Sequence, residues 1–128
     1  MKRLALLLVA AFFVTLLTVS CKKNDSSDQK SYSELIIGTW ETGAPEPYFE
    51  VYYSGGAGKQ WDTADDVHED EADTFEWYID GSSLHKTIHF QETGVVLPKV
   101  YDITLLNESK LEYNNDNFKE AVFLTRVY

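Results

Sequence analysis

From Glu34 to Tyr128, apolar and polar residues alternate with a period of two, in short runs broken by turn residues. The runs that read as strands are Glu34–Glu41, Pro47–Ser54, Ala57–Trp61, Asp73–Asp80, Ser83–Gln91, Leu97–Leu106, Ser109–Asn114 and Asn117–Val127. Phe75, Trp77 and Ile79 share one face, with Thr74, Glu76 and Tyr78 on the other. Leu84, Ile88 and Phe90 share a face that Lys86 interrupts. Tyr101, Ile103 and Leu105 alternate with Asp102 and Thr104. In the last run Phe123, Thr125 and Val127 oppose Val122, Leu124 and Arg126.

The joints between these runs carry turn chemistry. Asp80-Gly81 is the strongest hairpin signal. Ser54-Gly55-Gly56, Asn107-Glu108 and Asn114 to Asn117 suit residues at positive φ. Pro98 falls near a strand start, where a missing N–H is tolerated. One segment breaks the alternation. Trp61 to Asp73 is strongly acidic, and Thr63-Ala64-Asp65-Asp66 has the form of a helix capping box. It predicts one or two helical turns from about Ala64 to Ala72, with Asp65, Asp66 and Glu69 near the positive end of the helix dipole. Successive hairpins with no long crossover predict an all-β fold. This is an eight-stranded antiparallel up-and-down barrel with one short helix between strands 3 and 4.

The first residues have a different character. Met1-Lys2-Arg3 is followed by an uncharged run from Leu4 to Val19, then Ser20-Cys21. A basic start, an apolar middle and a small residue are the parts of a secretory signal. The run is shorter than the roughly 20 residues of a membrane span. Thr18-Val19-Ser20-Cys21 resembles a bacterial lipobox, although Thr18 stands where that motif favours Leu. The resemblance implies cleavage before Cys21 and acylation of its sulfur. It also gives a role to the chain's single cysteine. Lys22, rather than Asp, follows the cysteine, which by resemblance to Gram-negative lipoproteins implies the outer membrane, at either its periplasmic or its outer face. The organisation expected is a signal peptide at 1–20, a lipidated Cys21 with a flexible polar tether at 21–33, and one barrel domain at 34–128.

Charge narrows the partners. The chain carries 21 acidic residues against 11 basic ones, a net charge of −10, and cleavage would remove two of the basic ones. Such a surface excludes nucleic-acid binding, which needs Lys and Arg against phosphate. Without disulfides the core must carry stability alone. Three Trp and eight Tyr supply large areas to bury.

Ile36-Ile37-Gly38-Thr39-Trp40 opens the first strand, and Phe123-Leu124-Thr125-Arg126 closes the last. Together with the eight-strand meander, these residues resemble the lipocalin fold. They resemble more closely the small lipocalin-like lipoproteins of Gram-negative bacteria. The resemblance implies that Trp40 packs across one end of the barrel, with Arg126 over its indole and Gly38 beside it. These three would close the barrel, a structural role. The stacking is a cation–π contact worth about 0.5–2 kcal/mol. The short chain, the lack of disulfides and the lack of a clear C-terminal helix depart from true lipocalins.

No catalytic constellation appears. There is no Gly-x-Ser-x-Gly motif, and the chain reads as a non-enzyme without cofactor or metal. The acidic run 62–73 lacks calcium-loop spacing and reads as a solvated turn. His85 and His89 share a strand face about 13 Å apart, too far for one metal. Tyr52, Trp61 and Tyr78 are candidates for a ligand pocket or binding face. Two functions stay open. One is binding of a small apolar or amphipathic molecule in the barrel mouth. The other is a filled barrel serving as a structural or protein-interaction module, an accessory subunit or inhibitor, for a partner the sequence does not name. A cavity of about 300 Å³ or more would favour the first.

Overall fold

The computed structural model describes residues 29–128. The expected signal peptide, Cys21 and most of the tether lie outside the described residues. Eight antiparallel strands close into a barrel in simple sequence order. They are β1 (Gly38–Glu41), β2 (Tyr48–Tyr52), β3 (Ala57–Asp62), β4 (Asp73–Asp80), β5 (Ser83–His89), β6 (Val96–Leu106), β7 (Lys110–Asn115) and β8 (Glu120–Val127). Pairing of Trp40 with Arg126, on β1 and β8, completes the ring. Closure satisfies both potential edges of the sheet.

The helix stands elsewhere than the sequence suggests. Between β3 and β4 there are two separate 3₁₀ turns, Thr63–Asp65 and Glu69–Glu71, instead of a helix over 64–72. The cap is Asp62, not Thr63: its carboxylate accepts from the Ala64 N–H at 3.0 Å. Asp66 then adopts a left-handed conformation, φ 59°, which stops the first turn. Continuing it would bring Asp65 against Glu69 and Asp66 against Asp70, like charges one turn apart. Few apolar positions offset that repulsion.

The α-helical turn is α1, Tyr32–Leu35, where the sequence suggests tether and strand. The Glu34 carboxylate accepts from the Ser31 N–H at 2.8 Å. This turn shortens β1 and directs Ile36 into the core, where it is fully buried. On β6 the expected alternation also shifts. A bulge at Thr104 moves Leu105 out of phase, so Leu106 rather than Leu105 follows Ile103 into the interior.

The two ends of the barrel differ. At one end the connections β2–β3, β4–β5 and β6–β7 are tight turns, and α1 packs there against β4. Trp40 is fully buried and donates its indole N–H to the Ile36 carbonyl at 2.7 Å. The Arg126 guanidinium lies 4.2 Å from the Trp40 ring centre. It also donates to the carbonyls of Ile37 (2.8 Å), Glu108 (2.6 Å) and Leu35. A Cβ on Gly38 would fall 2.3 Å from that guanidinium, so only glycine leaves it room. At the other end the connections 42–47, 63–72, 90–95 and 116–119 are longer and frame an open mouth.

Candidate functional site

The inward positions of β2 are Tyr48, Glu50 and Tyr52, and those of β5 are Leu84, Lys86 and Ile88. Alternation therefore places one carboxylate and one ammonium inside an otherwise apolar and aromatic interior. Both are buried, Glu50 at 0% exposure and Lys86 at 2%. Their charges meet, with Lys86 Nζ 2.9 Å from Glu50 Oε1. An isolated ion would not be tolerated there. The Glu50 carboxylate also accepts from the hydroxyls of Tyr48 (2.7 Å), Tyr52 (2.5 Å) and Tyr113. Four donors in all hold it, three on Oε1 and one, from Tyr52, on Oε2. Lys86 donates in addition to Gln60 Oε1 at 3.0 Å and sits 4.1 Å from the centre of the Phe75 ring.

These contacts set the protonation states. Burial pushes the Glu50 carboxyl up, but the Lys86 ammonium and the hydroxyls of Tyr113, Tyr52 and Tyr48 outweigh it and hold it below the usual carboxylate range. Burial lowers the Lys86 amine, and Glu50 offsets this only in part. Burial and then the Glu50 charge push the hydroxyls of Tyr48, Tyr52 and Tyr113 well above their ordinary value. The tyrosines are therefore donors to an ionised carboxylate. Among the described residues no buried side-chain N or O atom lacks a hydrogen-bond partner.

Below this cluster, toward Trp40, the interior is filled. The Tyr52 ring packs edge-on against Phe75 and Trp77 at 5.1 and 5.6 Å. Phe75 in turn covers Gly58, whose absent side chain makes space for the ring. Above the cluster lies the mouth, divided into two adjoining clefts that share Tyr48, Gln60 and Phe90. One, of about 430 Å³, is walled by Trp61, Val67 and the carboxylates of Asp62, Asp65, Glu71, Asp73 and Glu92. The other, of about 470 Å³, reaches Ile88, Tyr101, Tyr113 and Val122, with Lys99, Lys119 and Glu120 at its side. Lys99 pairs with Glu120 at 2.7 Å, and Tyr101 donates to the same carboxylate at 3.2 Å.

Tyr52, Trp61 and Tyr78 are not brought together. Tyr52 is in the filled interior. Trp61 stacks on Phe49 at 4.8 Å on the outer face and borders the acidic cleft. Tyr78 is 60% exposed and stacks on His85 at 4.3 Å, outside the barrel. The acidic segment is dispersed as well: Glu69 pairs with Lys59, and Asp66 lies 4.0 Å from His68. Sequence reasoning missed Glu50, Gln60 and the inward role of Lys86. The signal available was a charge of each sign on faces otherwise apolar or aromatic.

No family model matches the sequence, and no curated protein does. Among solved structures, the chain is similar to a lipocalin-like protein from Bacteroides thetaiotaomicron. The TM-score is 0.56 and the identity 17%, over 73% of this chain and 97% of that one. At that identity the likeness is one of fold. The chain forms a lipocalin-like barrel.

Proposed function

We propose that this protein is a lipid-anchored outer-membrane lipoprotein that binds a small apolar or amphipathic molecule in the barrel mouth without transforming it. The observation that carries the binding role is the pair of clefts sharing Tyr48, Gln60 and Phe90, each larger than about 300 Å³. The Glu50 carboxylate, fully buried and engaged by four donors from its own barrel, supports a non-catalytic role, since a general base must reach its substrate. The signal-like residues 1–20 and Cys21 support the anchor. The packed interior below Glu50 favours the second reading, an interaction module with a filled barrel. It confines any ligand to the mouth.

Native mass spectrometry of the full chain, purified from the membranes of its own host, tests both parts. The expected result is a mass starting at an acylated Cys21, with a non-covalently bound small molecule that is released on denaturation. An unmodified Cys21 thiol would sink the anchor. A ligand-free barrel that also takes up no amphiphile on titration would move the assignment to the interaction module.

A further inference from the structure

Lys86 fixes the orientation of Gln60. An ammonium has donors only, so the Gln60 atom 3.0 Å from Lys86 Nζ is necessarily the amide oxygen. The amide nitrogen therefore points away from the ion pair. Among the described residues it has no hydrogen-bond partner, and no buried side-chain nitrogen is left unpaired. Gln60 is half-buried and borders both clefts, so its NH₂ group opens into the mouth. The buried charge pair thus presents, at the floor of the mouth, an amide held in one orientation with its donors outward.

We propose that the mouth takes an amphipathic organic carboxylate head-first. This rests on the reading of the mouth as a small-molecule site. The carboxylate meets the Gln60 NH₂ on the side of Lys99 and Lys119, in the cleft of about 470 Å³. The apolar body lies along Phe90 and Val122 toward the loops. Three features select this class and this direction. A donor floor complements an acceptor headgroup and leaves an ammonium facing like donors. The cluster beneath is charged, buried and bonded within itself, so an apolar tail gains nothing by pointing down. The adjoining cleft, with five carboxylates in its wall, repels an anion more strongly than this one, whose one carboxylate, Glu120, is already paired with Lys99. A closed floor also limits the ligand to a short body.

The test is titration calorimetry at neutral pH with three probes of matched chain: octanoate, octylamine and octanol. Octanoate is expected to bind the purified protein about tenfold or more tightly than either of the others. Gln60→Glu keeps the contact to Lys86 but turns a carboxylate oxygen to the mouth. It is expected to cost about tenfold in octanoate affinity and to leave octanol unchanged. Lys99→Gln serves as the second variant if Gln60→Glu fails to fold, and is expected to weaken octanoate selectively. Equal binding of all three probes, a preference for octylamine, or octanoate affinity untouched by these variants would overturn the carboxylate proposal while leaving the mouth a binding site. Failure of all three probes to bind would overturn it together with the ligand-binding reading.

Discussion

Glu50 and Lys86 stay charged inside the barrel because each has the other, and because tyrosine hydroxyls and an aromatic face occupy their remaining valences. Such a pair is costly to break from one side. Lys86→Met removes the ammonium and leaves Glu50 buried with hydroxyl donors alone. The expected loss is about 3–5 kcal/mol in urea melts. Adding Glu50→Gln to that variant removes the orphaned charge and should restore much of the loss. A loss below about 1 kcal/mol for Lys86→Met would mean the pair is solvated and does not form the floor. The sequence offers Lys86 as an interruption on the face of Leu84 and Ile88, and alternation turns it inward without naming the charge that would receive it there. That charge is on β2, 36 residues away, and pairing at that range is a property of the closed ring.

At the scale of elements, β2, β3 and β4 are fitted together by an absence. A Cβ on Gly58 would fall 2.2 Å from the Phe75 ring and 2.6 Å from the Val51 carbonyl. The backbone cannot retreat, since β3 is paired on both sides. Gly58→Ala is therefore expected to cost about 1–3 kcal/mol through overpacking, and Gly58→Ala with Phe75→Leu should relieve part of it. Denaturant melts of the two variants check this. Gly58→Ala at wild-type stability would show that the ring can move freely. The eight strands were legible in the sequence because each runs apolar to one side and ends in a residue suited to a turn. The shift at Thr104 was not, because a bulge leaves the composition of β6 unchanged. Nor were the 3₁₀ turns after Asp62: a capping signal marks where a helix would start, but like charges at the next turn decide whether it continues.

For the whole molecule, the buried hydroxyls govern the response to alkali. Tyr48, Tyr52 and Tyr113 are pushed well above the usual value of 10.0 by burial and then by Glu50, and Tyr101 is raised by burial and then by Glu120. In the unfolded chain they release protons from about pH 10, while the folded barrel retains them, so stability falls as pH rises beyond that value. Lys86 works in the opposite sense. Its folded value is depressed, so its contribution improves with pH up to its unfolded value of 10.5, but it is one group against four tyrosines. Glu50 contributes above its unfolded value of 4.5, and that contribution is lost as pH falls through its depressed folded value. Urea midpoints are thus expected to drop steeply above about pH 10.5. A flat profile there would contradict a buried tyrosine cluster. The Thr39–Val127 pairing on β1 and β8 bears on time as well as shape. Every other strand pair joins neighbours in the chain, whereas this one spans roughly 90 residues, a loop whose closure costs on the order of 4 kcal/mol in entropy. Hairpins can form as the chain emerges, but the ring cannot be completed until residues 125–127 exist. The β1–β8 seam is therefore the last pairing available to form, and until then both β1 and β7 remain open edges.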